Sequence, residues 1–264
     1  YGELAHTRIH QVVRGVGSMT AENPDLKGCQ RLVVTHDLTC KTDGTVKQAT
    51  VAPKKIVLFF VGGAGDKESY YGTGPNNNVA EALKIFVKNM DAEGLCADTY
   101  DAHHIGYNAF VSEDGLKASV LDKISDLTTP VYIIGHSLGG WNGAHLSKVL
   151  ADKGYRIPVL VTLDPVGEGQ IVWGVSNIYQ KEPTPKAEYW VNARADAKDW
   201  NFSDLVADFG EQWDMKSGPN MNGRVDVNHA DAWAIYIADL GTGMSARDVL
   251  MESVVLHFKG RKCA

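Results

Sequence analysis

Short apolar runs alternate with helix-like patterns along most of the chain. Residues 56–61 are apolar throughout and are followed by Gly62 and Gly63. This continuous pattern is typical of a strand buried on both faces of a parallel sheet. Asn78 and Glu81 then resemble a helix capping box. A helix should follow, because apolar residues recur at helical spacing, at Val79, Leu83, Phe86 and Met90.

The alternation continues to the carboxyl end. The pattern predicts further strands near residues 97–100, 131–134, 159–163 and 189–192. Helices are expected between them, one with apolar residues at Leu116, Val120, Ile124 and Leu127, and another over residues 141–150 that ends at Gly154. Strands and helices in alternation indicate the α/β class, with a mostly parallel central sheet, right-handed crossovers and helices on both faces.

The pattern before residue 56 is less regular. Residues 32–35 and 45–51 are interpreted as an antiparallel hairpin at the edge of the sheet. No internal repeat, low-complexity tract or linker divides the 264 residues. A single domain over residues 1–264 is therefore expected, with a lid or cap region at about 166–228.

Composition and charge exclude several classes of function. The chain is 44% hydrophobic and 22% charged, with a net charge of −6. Its basic residues are scattered, so a nucleic-acid partner is not expected. The longest apolar runs are far shorter than the roughly 20 residues of a membrane-spanning helix. No metal-ligand spacing and no nucleotide-binding glycine motif is present, so we expect neither a metal nor a cofactor.

The four cysteines leave the compartment open. Cys29, Cys40, Cys96 and Cys263 form no C-x-x-C pair. Their even number suits disulfides in an oxidising compartment, and it suits four thiols in a reducing cell equally well. No signal peptide is visible after Tyr1. We expect a secreted or periplasmic protein, with the cytoplasm as the alternative.

The segment Gly135-His136-Ser137-Leu138-Gly139 fits the motif G-x-S-x-G. An apolar strand leads into it and a helical pattern leaves it, which is the context of a nucleophile elbow. In that turn the serine hydroxyl stands above the sheet edge, and the following helix directs its positive end towards a developing oxyanion. Ser137 is therefore the candidate nucleophile.

A serine nucleophile needs a histidine base, which in this fold follows it in the chain. Only His145, His229 and His257 do so. His145 lies two turns into the helix that leaves the elbow, and His257 lies in an apolar carboxyl-terminal element. His229 follows a loop rich in Gly, Asn and Pro and is the candidate base.

The histidine in turn needs a carboxylate to orient it. Asp164 follows the strand at 159–163 and precedes Pro165, at the carboxyl end of a strand where such sheets assemble their sites. Asp196 and Asp199, after the next strand, are the alternatives. The backbone N–H groups of Leu138 and of Ala64, or Gly63 beside it, are the candidate oxyanion donors.

These features resemble the lipase branch of the α/β-hydrolase superfamily. The likeness rests on Gly-His-Ser-Leu-Gly-Gly at 135–140, the glycine loop at 62–63 and Leu-Asp-Pro at 163–165, and it covers about residues 56–233. Pancreatic-type lipases also carry their acid in a Leu-Asp-Pro element one strand after the elbow, which favours Asp164. The oxyanion loop departs from the common pattern, since Gly62 stands where a histidine often does. The short chain and its Asn-His-Ala-Asp sequence are also similar to bacterial lipase-like toxins delivered between cells.

The resemblance implies hydrolysis of carboxylic esters of lipids or phospholipids, with a membrane surface as one place where the substrate is met. The alternatives are an esterase or thioesterase for small soluble substrates, and a hydrolase-fold binding protein without catalysis. Apolar residues of the lid region could form a lid or acyl pocket, or could belong to the ordinary core. They are Ile171, Val172, Trp173, Ile178, Tyr179, Trp200, Phe202, Leu205, Phe209 and Trp213.

Overall fold

The computed structural model describes residues 55–72, 74–215 and 217–259, together with the backbone of three earlier strands. These strands are β1 (Cys29–Leu32), β2 (Asp37–Thr42) and β3 (Thr45–Thr50). They form an antiparallel sheet in the order β1-β2-β3, in which Cys29 is opposite Cys40. The predicted edge hairpin was wrong in extent, because this is a separate three-stranded sheet. Residues 33–35 and 51 of that prediction lie outside the described residues.

Within the described residues the central sheet has six strands, and all of their pairings are parallel. Its spatial order is β5-β4-β6-β7-β8-β9. This architecture confirms the predicted α/β-hydrolase fold. The strands are β4 (Ile56–Gly62), β5 (Tyr100–Gly106), β6 (Val131–His136), β7 (Val159–Leu163), β8 (Tyr189–Ala195) and β9 (Met221–Val225).

Helices cover both faces of this sheet, and each face has its own apolar core. Alternate residues of β4 point to opposite faces, as the period of a strand requires. Leu58 and Phe60 pack on one face with the helices at residues 78–92, 232–237 and 246–257. Val57 and Phe59 pack on the other face, with the helix at residues 138–152. The helices are α1 (Asn78–Ala92), α2 (Glu113–Ser119), α3 (Leu138–Asp152), α4 (Gln170–Val175), α5 (Phe202–Phe209), α6 (Ala232–Ile237) and α7 (Ala246–His257).

The order of the strands places the loops after β4 and β6 side by side. From β4 the chain passes to β5 on one side and then crosses to β6 on the other. Ligands of open α/β sheets bind at such a switch point, outside the carboxyl ends of the strands. Gly63 and Ser137 follow β4 and β6, so both lie at this position.

Some predicted boundaries were wrong for local reasons. Asn78 does not cap α1. Asn77 precedes the helix, but its side chain accepts no N–H of the first turn, and the Asp66 carboxylate accepts the Val79 N–H at 3.1 Å instead. The strand predicted at 97–100 begins only at Tyr100 and follows a 3₁₀ turn.

The helix predicted around Leu116 to Leu127 is interrupted. α2 ends at Ser119, because Val120 has non-helical angles, and a 3₁₀ turn follows at Leu121–Lys123. Leu127 lies beyond that turn and is 54% exposed. Val120 and Ile124 are still buried, so the apolar spacing was right although the helix is not continuous.

The region 166–228 is not a continuous lid. β8 and β9 lie within it and belong to the central sheet, so residues 166–188, 196–220 and 226–228 are the parts of it that lie outside the strands. Among the described residues, none of the helices has the length and hydropathy needed to cross a bilayer.

Candidate active site

Ser137 occupies a strained turn between β6 and α3. Its backbone has φ 56° and ψ −128°, a region that side chains other than glycine rarely adopt. The flanking glycines make this turn possible. A Cβ on Gly135 would lie 2.2 Å from the Gly139 carbonyl oxygen, and one on Gly139 would lie 2.2 Å from the Val61 carbonyl oxygen. The G-x-S-x-G glycines are thus required by close backbone packing.

Three side chains from different loops meet at this turn. The Ser137 Oγ lies 3.0 Å from His229 Nε2, and His229 Nδ1 lies 2.6 Å from Asp164 Oδ2. Because the carboxylate can only accept, Nδ1–H donates to it and Nε2 is left to accept the serine hydroxyl proton. All three residues are buried, with Ser137 7% and His229 6% exposed.

Asp164 is completely buried but well supplied with donors. Its Oδ1 accepts the Ala195 N–H at 3.0 Å, and the Gln212 side-chain amide donates to Oδ1 at 2.8 Å and to Oδ2 at 2.9 Å. Its own backbone has φ 42°, a second strained position in the site. Such donors are what a buried carboxylate requires.

The alternative residues point elsewhere. His145 Nε2 lies 2.7 Å from the Lys181 carbonyl, and His257 ends α7 against Phe258. Asp196 is paired with Arg224 at 3.5 Å on the surface. The structure brings Asp164, and neither Asp196 nor Asp199, into contact with His229.

Two residues that the sequence reasoning missed hold the loop of His229. His136 Nε2–H donates to the His229 carbonyl oxygen at 2.7 Å. Asp204 accepts the His229 N–H at 2.8 Å and the Asn228 side-chain amide at 2.7 Å. Asp204 also completes a capping box with Asn201 at the start of α5. The spacing of Asn201 and Asp204 in the sequence could have indicated that helix start.

The electrostatic state of these two residues follows from their surroundings. Burial, reinforced by the neighbouring His229, lowers the pKa of His136 to about 3, so His136 is neutral at physiological pH. Burial acts to raise the pKa of Asp204, but bonds from Asn201, His229 and Asn228 outweigh it and lower that pKa. His229, the candidate base, therefore lies between the neutral ring of His136 and the ionised carboxylate of Asp204.

The loop after β4 lies directly against the serine. A Cβ on Gly63 would be 2.6 Å from Ser137 Cβ, so only glycine fits there. Leu138 is the first residue of α3, and the first N–H groups of a helix have no partner within it. Neither Leu138 nor Ala64 donates its N–H to a backbone carbonyl in the described part of the chain.

The carboxylate of Asp66 packs against the loop after β4. Asp66 is 1% exposed, and burial raises its pKa to about 6, although the N–H groups of Val79 and Asn78 act to lower it. Its Oδ1 lies 3.8 Å from His104 Nε2. Burial, together with Lys67, lowers the pKa of His104. A Cβ on Gly62 would lie 2.8 Å from Asp66 Oδ2, so the loop is packed on this carboxylate.

The loop after β4, which packs against Ser137, also borders a small cavity. A cavity of about 30 Å³ adjoins Gly63, and its wall includes Glu68, Tyr107 and Asn108. The loop after β4 also contacts the end of α4, where the Tyr70 hydroxyl lies 2.8 Å from the Ser176 Oγ.

The apolar residues of the region 166–228 divide into two groups. Val172, Ile178 and Trp213 are buried in the core, and Trp173 and Tyr179 pack against it. The others are strongly exposed, and four apolar side chains of α5 are between 46% and 78% exposed. Those four recur at the spacing of one helix face: Phe202, Leu205, Val206 and Phe209.

Cys96 is disulfide-bonded. Among the described residues, no three His, Cys, Asp or Glu side chains are grouped so that they could hold a metal ion.

No family model matches the chain, and no curated protein matches it in sequence. Among solved structures, the chain is similar to the crystal structure of a metagenomic carboxyl esterase. The two are 9% identical, the match covers 96% of this chain and 91% of that chain, and the TM-score is 0.37. At that TM-score the similarity carries no weight for the site, whose interpretation rests on its own geometry.

Proposed function

We propose that the protein is a serine hydrolase that cleaves carboxylic esters through an acyl-enzyme intermediate. The observation that carries the proposal is the continuous contact from Ser137 through His229 to Asp164. In this reaction His229 accepts the Ser137 proton while Oγ attacks the ester carbonyl. Asp164 stabilises the imidazolium that forms, and the N–H groups of Leu138 and Ala64 stabilise the oxyanion. His229 then protonates the leaving alcohol, and water releases the acid in a second attack.

A serine-directed fluorophosphonate probe tests this function. The folded protein should be labelled, and Ser137→Ala should abolish both labelling and ester hydrolysis. Ser119→Ala, at the end of α2, is the matched control and should leave both unchanged. A folded wild-type protein that takes up no probe would instead indicate a hydrolase-fold binding protein without catalysis.

We propose further that the substrates are lipid or phospholipid esters, which the protein meets at a membrane surface. The apolar stripe of α5 supports this proposal, because four large apolar side chains face solvent along one helix face. Aromatic and aliphatic side chains arranged in this way bind the interface between lipid headgroups and acyl chains. Ile171 and Val175 of α4 add further exposed apolar surface, 57% and 47% exposed.

Vesicles of neutral phosphatidylcholine provide the test of the lipid proposal. The double variant Phe202→Ser/Phe209→Ser should lose about tenfold or more activity on vesicles and keep its activity on dissolved p-nitrophenyl butyrate. Leu127→Ser is the control, since Leu127 is also exposed but precedes β6, at the amino ends of the strands. Equal activity of both variants on vesicles would contradict the lipid proposal.

An esterase or thioesterase for small soluble substrates is the second candidate. The polar side chains of Glu68 and Asn108 in the wall of the cavity beside Gly63 favour it, because a site for long acyl chains is lined mostly by apolar side chains. A p-nitrophenyl ester series distinguishes the two. A preference for acetate or butyrate together with inactivity on vesicles would favour the small-ester function.

We also propose an oxidising compartment, secreted or periplasmic, as the place of action. The disulfide of Cys96 supports this location, because disulfides persist in such compartments and are rare in the cytosol.

A further inference from the structure

A chain of side chains leads from the protein surface to the buried acid. Asp214 Oδ1 accepts from Arg194 Nη1 at 2.8 Å. Arg194 Nη2 and Nε donate to the Gln212 side-chain oxygen at 2.9 and 3.2 Å. The Gln212 nitrogen donates to both Asp164 oxygens. Gln212 is therefore the link in this chain between the guanidinium and the acid.

The chemistry of these groups permits one orientation of the Gln212 amide. A guanidinium can only donate hydrogen bonds, and an ionised carboxylate can only accept them. The amide oxygen must therefore face Arg194 and the amide nitrogen must face Asp164. A flipped amide would oppose two donors at one end and two acceptors at the other. Arg194 thus fixes the orientation in which Gln212 supports the acid.

Because Arg194 reaches Asp164 only through Gln212, the Asp164 carboxylate can still bond to His229. A guanidinium bonded directly to Asp164 would make a two-pronged ion pair with both carboxylate oxygens and compete with His229 for Oδ2. The neutral amide donates to that oxygen and still leaves the His229 contact at 2.6 Å. The positive charge of Arg194 polarises the amide without taking the carboxylate from the histidine.

We propose that Gln212 and Arg194 are positioning residues, which hold the Asp164 carboxylate in the orientation that His229 requires. This inference rests on the proposed hydrolase function. Gln212 acts on Asp164, and Arg194 acts only through Gln212. Because Arg194 acts only through Gln212, the effects of substituting the two residues should not be independent. Two residues that merely contribute to stability would have independent effects.

A double-mutant cycle tests this order. Gln212→Leu should lower kcat about 10- to 100-fold with little change in KM, because a hydrogen bond to a buried charge is lost. Arg194→Gln should lower kcat less. The double variant should be no worse than Gln212→Leu, because Arg194 has nothing to act on once the amide is gone. The low-field proton resonance of the His229 Nδ1–H should move in both single variants, which a merely structural effect would not cause.

Matched controls and a second variant keep the test decisive. Arg156→Gln breaks another Arg–carboxylate pair, with Glu188 at the amino ends of the strands, and should change kcat less than twofold. If Gln212→Leu does not fold, Gln212→Met has a similar length and cannot donate a hydrogen bond to Asp164, so it should lose activity to a similar extent.

Two results would overturn the proposal. One is a folded Gln212 variant, Leu or Met, with kcat within twofold of wild type. The other is a double variant whose loss is the product of the two single losses. Failure of the hydrolase function itself would differ from both, since the wild-type protein would then be unlabelled and inactive.

Discussion

His136 precedes Ser137 in the nucleophile elbow, and its side chain holds His229 in position. Its ring lies 4.9 Å from the ring of His229, between centroids, and it bonds to the backbone of the same residue. A positive charge on His136 would oppose the imidazolium that forms on His229 during the proposed reaction. The low pKa of His136 avoids this conflict, because the ring stays neutral while its N–H fixes the position of the base.

We expect His136→Leu to lower kcat about tenfold and the free energy of unfolding by about 1–3 kcal/mol, because the buried His229 carbonyl loses its donor. His145→Leu is the matched control, since His145 also bonds a backbone carbonyl through Nε2, that of Lys181, but away from Ser137. It should lower stability without changing kcat. Equal effects of the two variants on kcat, measured with a soluble ester, would show that His136 has no special role.

At the scale of elements, α5 connects the outer surface with the acid and the base. Its first turn is bonded to the loop of His229 through Asp204. The chain that leaves the helix accepts N–H groups of residues 167–169 through the Gly210 and Glu211 carbonyls, and then reaches Asp164 through Gln212. A helix with an apolar outer face is thus anchored at both ends to residues of the candidate triad.

Asp204→Ala tests whether Asp204 anchors the loop of His229 in addition to capping α5. We expect kcat/KM to fall at least tenfold, because His229 loses an acceptor for its backbone N–H, and stability to fall by about 1–2 kcal/mol. Asp248→Ala removes the corresponding capping-box residue of α7, which does not contact the site. It should destabilise the protein by about 1 kcal/mol and leave kcat/KM within twofold. Similar kinetic losses in the two variants would contradict the anchoring role.

The sequence predicted those elements whose burial pattern is simple. β4, β6 and β7 are buried along their whole length and largely apolar because both faces are covered, and their positions agreed with the structure. β9 was missed, because an edge strand with Asn222 and Arg224 on it has no apolar run. α5 was missed although its apolar residues have helical spacing and Asn201 with Asp204 forms a capping box; the sequence could not show that this apolar face is exposed to solvent.

The candidate site was predictable to a similar degree. The motif around Ser137 and the chain order of the partners pointed to the three side chains that the structure brings together. Gln212 and Asp204 reach Asp164 and His229 across 48 and 25 residues of sequence. Such contacts depend on how loops cross the sheet edge, and no local pattern in the sequence encodes them.

At the scale of the whole molecule, two buried groups give opposite dependences of stability on pH. Asp66 has an ordinary pKa of 3.8 that rises to about 6 in the folded protein. The folded state therefore binds more protons than the unfolded chain between these values, and stability falls as pH rises through this window. His136 acts in the reverse sense, because the unfolded chain takes up its proton below the ordinary value of 6.5 and stability falls as pH drops.

Asp66→Asn should remove the first of these two effects. We expect the variant to be more stable than wild type at pH 8, by at most about 3 kcal/mol, and equal to it near pH 4. The side-chain oxygen of the substituted asparagine can still accept the Val79 N–H. Urea unfolding at a series of pH values is the measurement. The same difference between variant and wild type at pH 4 and pH 8 would show that Asp66 is not protonated preferentially in the folded state.

The strained backbones of Ser137 and Asp164 have a consequence for how the chain tolerates change. Each positive φ costs on the order of 1–3 kcal/mol, which the surrounding packing must supply. Glycine at position 137 would release that strain and remove the proposed nucleophile at the same time, whereas glycine at position 164 would leave the buried donors that surround Asp164 without an acceptor. A stabilising substitution at Ser137 therefore opposes activity, so selection for thermal stability alone would drift towards a well-folded but inactive protein.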